Sequence, residues 1–489
     1  MRLTMIGGGG FRVPQLYRAL ADDPAELVHE FVLTDTDPGR LAVVENVISQ
    51  LRQGDGGPAV RTTPDVAEGI TGADYVFSAV RVGGTEGRAI DEEVALSHGV
   101  LGQETVGVGG MAYALRTIPV ARELARLIRA HAPEAWVINF TNPAGVITQA
   151  MRESLGDRVV GICDTPIGLV NRIADITDAR VTSFEYAGLN HLGWLRGVRG
   201  RRAGSAVGET DLLAAVLADD ALLSRIEEAR LFGFDVVRSI GALPNEYLYY
   251  YWHEREALAR ISGRDSRGRQ LLHQQADFYA AATASPGQAR KLWEAALLER
   301  EETYGSETRD DAAARRSTRE IELGGYQKVA LQLMRVLAGA EPSARMVLNV
   351  RNGRDDGGRS VSQLPDDAVV EVACEVVAGG IEPAPVEPLG NDLAGLMVQI
   401  KGCDELLLAA TAERDPVKAL RAFATHPLVD SAEVARELLA EYCERQPLIA
   451  QAVQLPADMR AGGAEVPGRR GEPHSPASSP GHPSTMRLP

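Results

Sequence analysis

The sequence predicts an α/β protein. A doubly wound parallel sheet is expected over residues 1–180, a mixed, largely helical lobe over 181–460 and a disordered tail over 461–489. Three observations carry this. Short apolar runs alternate with helical patterns early in the chain, the order a parallel sheet needs. Four consecutive glycines, Gly7 to Gly10, follow the first apolar run directly. Beyond residue 180 the apolar spacing turns mostly helical, and beyond about Ala461 Pro, Gly and Ser dominate, which leaves too little apolar surface to bury.

Taken in order, Leu3 to Ile6 reads as a strand, Gly7 to Gly10 as a turn and Val13 to Leu20 as a helix. Phe31 to Leu33 is a second strand, ending at Asp35 and Asp37. Strand, glycine turn, helix, strand and acid together mark a Rossmann-like dinucleotide site. The glycines admit a pyrophosphate to the backbone, and the helix N-terminus offers it N–H groups. An acid at Asp35 suits a free ribose hydroxyl and favours NAD over NADP. Further strands are expected at Tyr75 to Val80, Trp136 to Phe140 and Val159 to Ile162, with helices at Ala114 to Ala130 and Pro143 to Leu155.

In the second half, Val181 to Asn190 and Ala368 to Val372 read as strands. Thr210 to Arg230, Gly287 to Thr303, Gly324 to Ala338, Leu393 to Ala412 and Val417 to Ala424 read as helices, and Asp310 to Arg316 as a charged surface segment.

A formal charge of −16 argues against nucleic acid or an anionic membrane as partner, though not against a small anion in a local basic pocket. Four scattered cysteines suit a reducing compartment. No apolar run has the length of a membrane span, and the apolar start is too short for a secretory signal, so a cytoplasmic location is expected.

The chemistry-bearing candidates gather around Cys163-Asp164, at the end of an expected strand. A buried cysteine there is compatible with plain packing. Paired with His191, at another strand end, it becomes a partial site for a borderline divalent metal with open positions. Pro244 to Trp252 is the most aromatic stretch; most of its rings suit packing, but a tyrosine whose pKa is lowered, Tyr247 among them, can act as a base. Arg88, Arg116 and Arg267 are candidate anion clamps. Asn142 is either a helix cap or a hydrogen-bonding group toward substrate or cofactor.

These residues form a recognisable set. The sequence resembles glycoside hydrolase family 4, the NAD-dependent 6-phosphoglycosidases, through Ile6-Gly7-Gly8-Gly9, Val80-Arg81-Val82-Gly83-Gly84 with Arg88, Gly102-Gln103-Glu104-Thr105, Asn142-Pro143, Gly161-Ile162-Cys163-Asp164, Gly188-Leu189-Asn190-His191 and Tyr247-Leu248-x-Tyr250-Tyr251. They keep family order over roughly residues 1–450, and Gly10-Phe11-Arg12-Val13-Pro14 looks most like the 6-phospho-β-glucosidase branch. The resemblance implies that Gly7, Gly8, Gly9, Gly10, Phe11 and Asp35 bind NAD and that Cys163 and His191 bind a divalent metal, usually Mn²⁺. It implies Tyr247 as the base at sugar C2, Asp164 as the acid, and Arg88, Asn142 and Arg267 as substrate-binding residues. The implied reaction is hydride removal at C3, elimination across C1–C2, water addition and re-reduction, a route outside the two-carboxylate scheme. The implied substrate is a phosphorylated disaccharide or glucoside, and the implied assembly a homodimer or homotetramer.

The chain departs from the family at Gly10, where serine is usual, and Ser266-Arg267-Gly268 matches the family arginine motif only loosely. The alternatives are a sister activity (6-phospho-α-glucosidase, α-galactosidase or α-galacturonidase), a lactate/malate-type dehydrogenase, and a non-enzymatic NAD-binding regulator.

Overall fold

The computed structural model describes residues 1–52, 56–202, 208–303 and 325–456; Asp310 to Arg316 and the tail from Ala461 lie outside them. Six parallel strands come first: β1 (Arg2–Ile6), β2 (Glu30–Thr34), β3 (Ala59–Thr63), β4 (Tyr75–Ser78), β5 (Trp136–Asn139) and β6 (Val159–Gly161). They lie in the order β3-β2-β1-β4-β5-β6. The strand order reverses at β1 and β4, which opens a crevice at their carboxyl ends. β3 escapes the sequence reading because it is an edge strand with little buried surface.

The sheet is not confined to residues 1–180 as expected. It continues through β7 (Ala179–Leu189), β8 (Leu192–Arg202), β11 (Ala344–Arg351) and β12 (Val369–Val377), with short β9 (Thr210–Asp211), β10 (Leu243–Pro244) and β13 (Gly380–Pro383) along its rim. β11 pairs antiparallel with β6, β12 with β11, β7 with β12 and β8 with β7, so one 13-stranded sheet runs through both halves of the chain. β8 is hidden in the sequence because its glycines and arginines break the apolar alternation, although Leu192 to Leu195 are buried. The single helix expected at Thr210 to Arg230 is broken. Asp211 and Asp219 each accept backbone N–H groups of a new turn, giving Leu212–Leu217 and Asp220–Leu223 before Glu227–Phe232.

One face of the parallel part is covered by the helix Gly107–His131, which begins well before the expected Ala114. Against it lie helices from the far end of the chain, Asn391–Glu413, Pro416–Thr425, Ala432–Arg445 and Pro447–Val453. Leu115 and Ile118 share a core there with Leu407, Phe423 and Leu438. Arg116 belongs to this packing and is not an anion clamp. Its guanidinium grips Asp91 at 2.7 and 2.6 Å, with both side chains 1% exposed, and Gln446 donates to the same carboxylate. Arg116→Met leaves Asp91 buried and unpaired and is expected to cost about 3–5 kcal/mol, read as a lower urea midpoint at unchanged m. No helix among the described residues is long and apolar enough to cross a membrane.

Candidate active site

The site grows from one row of paired residues across the sheet. Ser78, Asn139, Gly161, Asn349, Glu371, Gly188 and Gly193 stand side by side from β4 to β8. Over the strand ends opens a cavity of about 790 Å³. Its wall carries Gly7, Gly9, Gly10, Phe11, Asp35, Asn142, Cys163, Asp164, His191 and Tyr247, so most of the sequence-derived candidates meet in one space.

The glycine turn is shaped by close packing. A Cβ at Gly7, where φ is +89°, would stand 2.6 Å from the Ala79 carbonyl, and one at Gly8 would stand 2.7 Å from Leu33 Cβ. Gly8 lies beneath the wall and holds Gly7 and Gly9 in place. Asp35 Oδ2 accepts the Gly9 N–H at 2.9 Å and Oδ1 that of Asp37 at 3.0 Å. Three aromatic donors from the second half of the chain hold successive turn carbonyls. The Tyr279 hydroxyl donates to Gly9 O at 2.7 Å, Trp293 Nε1 to Phe11 O at 2.9 Å and the Tyr326 hydroxyl to Arg12 O at 2.7 Å. These glycines, the following helix Val13–Ala21 and the acid fit a dinucleotide.

Cys163 lies just past β6, buried, with Asp164 opening the helix Thr165–Thr177. Burial, then the fields of Glu371 and Asp164, push the thiol well above its ordinary pKa. The Asp164 carboxylate makes no capping bond and faces the cavity. His191 occupies the tight turn between β7 and β8 at a left-handed φ of 64°, a region that histidine enters more readily than most non-glycine residues. Its ring stacks on Tyr247 at 3.8 Å and 7°. Thr105 Oγ1 lies 2.9 Å from His191 Nδ1 and donates its own proton to Gln103 Oε1 at 3.2 Å. Burial pushes the imidazole down to about 4, so it is neutral at pH 7. A thiol and a neutral imidazole on one wall suit a divalent metal, and no cluster of three or more His, Cys, Asp or Glu exists among the described residues. Two such groups would leave coordination positions of a bound metal open.

Asn142 is not a helix cap; Pro143 takes that position ahead of the helix Ala144–Leu155, and Asn142 faces the cavity through a cis bond to Pro143. Buried Asn139 supports this loop, accepting the Thr141 N–H and donating to Thr148. Tyr247 sits on the short turn Glu246–Leu248, capped by Asn245.

Arginines gather at one end of the cavity. Glu104 bridges Arg81 and Arg88, and Arg88 also binds Glu92 at 2.8 Å. Burial alone would raise Glu104, but Arg81 and Arg88 outweigh it and hold the carboxyl well below the usual range. Arg88 and Arg267 stand behind the wall, the latter donating to the Arg300 carbonyl at 3.2 Å. Arg300 is on the wall, and its Nη1 has no hydrogen-bond partner among the described residues. Burial and the fields of Arg12, Arg88, Arg267 and Arg81 all oppose its charge, which an anion would relieve.

Sequence reasoning missed Arg300, Glu371 and the role of Thr105. Thr105 was within a quoted motif. Glu371 carried a signal too, as a lone acid in the run Ala368 to Cys374. Arg300 looked like any charged helix residue.

Residues 2–179 match the model of family 4 glycosyl hydrolases, and residues 186–429 match that of the family 4 C-terminal domain. A probable 6-phospho-beta-glucosidase of Bacillus subtilis is 30% identical over 453 residues, covering 91% of this chain and 96% of the relative. A maltose-6'-phosphate glucosidase of the same organism is 26% identical, covering 90% and 95%. The 6-phospho-beta glucosidase of Thermotoga maritima, solved with manganese, NAD⁺ and glucose-6-phosphate, superposes with a TM-score of 0.72 at 27% identity, covering 91% of this chain and 98% of that one. The chain belongs to family 4 of the glycosyl hydrolases.

Proposed function

We propose that this protein hydrolyses 6-phospho-β-glucosides with the help of NAD⁺ and a divalent metal, most simply Mn²⁺. The observation that carries the reading is the meeting, in one cavity, of the glycine turn with Asp35, the Cys163 and His191 pair, and Tyr247 stacked on His191. NAD⁺ would be held by the turn and Asp35, and the metal by Cys163 and His191. When bound, these groups supply a hydride acceptor for C3 and a Lewis acid that acidifies the C2 proton. Tyr247 then takes that proton, Asp164 donates one to the departing aglycone, water adds across the C1–C2 double bond, the C3 ketone takes its hydride back, and Asn142 orients the sugar throughout. Arg300 faces the 6-phosphate, with Arg88 and Arg267 behind it. The cofactor lobe is placed at 1–180 and the substrate and metal lobe at 181–460, a division that crosses one continuous sheet. The enzyme is read as cytoplasmic, and as a homodimer or homotetramer, which sedimentation velocity tests.

The deciding assay is turnover of p-nitrophenyl β-glucoside 6-phosphate with NAD⁺, Mn²⁺ and a thiol in D₂O. The expected product carries deuterium at C2; turnover without it rejects the elimination route. Turnover of the α-anomer or of the unphosphorylated sugar alone moves the protein to a sister activity, which the maltose-6'-phosphate relative keeps in view. Arg300→Met is expected to raise KM for the phosphorylated glucoside about 10–100-fold, the loss of a hydrogen bond to a charged group. An equal effect on an unphosphorylated glucoside would remove Arg300 from the phosphate end.

A further inference from the structure

Glu371, in the middle of β12, is 1% exposed. In the paired row it stands between Asn349 and Gly188, which are flanked in turn by Gly161 and Gly193. The glycines make room for this group. A Cβ at Gly161 would stand 2.9 Å from Asn349 Cβ, and one at Gly193 would stand 2.7 Å from the Tyr186 hydroxyl. Glu371 Oε1 accepts from Asn349 Nδ2 at 2.9 Å and from Asn190 Nδ2 at 3.2 Å. Asn190 precedes His191, and its Oδ1 accepts the N–H of Ala144, just after Asn142-Pro143, at 3.2 Å. On the other side the Tyr186 hydroxyl lies in the field of the same carboxylate. It accepts from Asn245 Nδ2 at 3.1 Å, and Asn245 Oδ1 accepts the Tyr247 N–H at 3.1 Å. Asn349 is paired with Gly161, two residues before Cys163.

One carboxylate thus stands where the strand bearing Cys163, the turn bearing His191, the loop bearing Asn142 and the turn bearing Tyr247 are tied together. We infer that Glu371 is the positioning residue of the site, holding through Asn190 and Asn349 the two metal-ligand segments in mutual register. The choice of side chain follows from the donors. Two amide groups converge on Oε1 from different segments, and an acceptor with several lone pairs is needed to take both. An apolar residue would leave both amides buried without a partner. The inference rests on the reading of Cys163 and His191 as metal ligands and Tyr247 as base.

The test compares Glu371→Ala and Glu371→Gln by calorimetric titration with Mn²⁺ and with NAD⁺, and by crystal structures of the metal-free variants. Glu371→Ala is expected to weaken Mn²⁺ about 10–100-fold, the usual cost of losing a group that orients a ligand. NAD⁺ affinity should stay within about threefold, and the His191 ring should leave its stack on Tyr247. Glu371→Gln keeps the Oε1 acceptor and should hold Mn²⁺ within about threefold of the parent. The inference falls if folded Glu371→Ala binds Mn²⁺ like the parent with the stack intact. It also falls if Mn²⁺ and NAD⁺ weaken together, or if Glu371→Gln loses as much as Glu371→Ala. If Glu371→Ala does not fold, Asn190→Ala cuts the same link from the other end and should weaken Mn²⁺ at least about tenfold; unchanged binding there overturns the inference. A parent that binds no Mn²⁺ defeats the metal reading, and the crystal structures then decide the positioning role alone.

Discussion

Tyr247→Phe is expected to lower kcat by about 10²–10⁴-fold, the span of a lost general base, while leaving the unfolding midpoint almost unmoved. The two halves of this expectation come from different atoms. The ring stacks on His191 at 3.8 Å and the backbone N–H is capped by Asn245, and phenylalanine keeps both. The hydroxyl alone is lost. On the proposed route Tyr247 acts only after oxidation at C3, so the variant should still show NADH absorbance on mixing enzyme, NAD⁺ and substrate. Exchange of the C2 proton with D₂O should fall with kcat. A variant that exchanges C2 at the parent rate would pass the base role to another group.

Cys163→Ser is expected to abolish the Mn²⁺-dependent rate and leave NAD⁺ affinity within about threefold, since the glycine turn and Asp35 are untouched. The serine hydroxyl is nearly the same size, so packing at this buried position is kept. What changes is the proton balance. In the metal-free protein the thiol is held protonated by burial and by Glu371 and Asp164, so binding as thiolate must release that proton. His191, pushed down to about 4, has no proton to lose at pH 7. Parent affinity for Mn²⁺ should therefore rise with pH below the thiol's raised pKa. The serine variant should release about one proton fewer per metal in calorimetry across buffers. Equal proton release by the two proteins would reject Cys163 as a ligand.

The parallel half of the fold was legible because its signals are local. A strand, four glycines, a helix and an acid sit within one short stretch, and each strand is a compact apolar run. The antiparallel half was legible only in part: β7 and β12 were read as strands, but β8, β11 and the order of pairing were not, because that pairing is set by partners far away in sequence. β8 reads as a polar, glycine-broken segment until β7 lies beside it, and β11 gains meaning only by pairing with Gly161. The same division runs through the site. Cys163, His191, Asn142 and Tyr247 stand in motifs and were named from them, and all four line the one cavity. Arg300 was missed because a helical arginine looks alike on a surface and at the end of a cavity. Glu371 was visible as an acid among apolar residues, but its neighbours come from four other strands and turns.

The three aromatic donors on the glycine turn have a consequence for how the protein is made. The turn leaves the ribosome among the first residues, while Tyr279, Trp293 and Tyr326 follow some 270 to 314 positions later. At roughly 5–20 residues per second that is a delay of tens of seconds. During it the nascent chain carries a nucleotide turn whose carbonyls at Gly9, Phe11 and Arg12 have not met their donors. The first 180 residues by themselves lack these three donors, and the hydrogen bonding of the turn is completed only when the later helices dock.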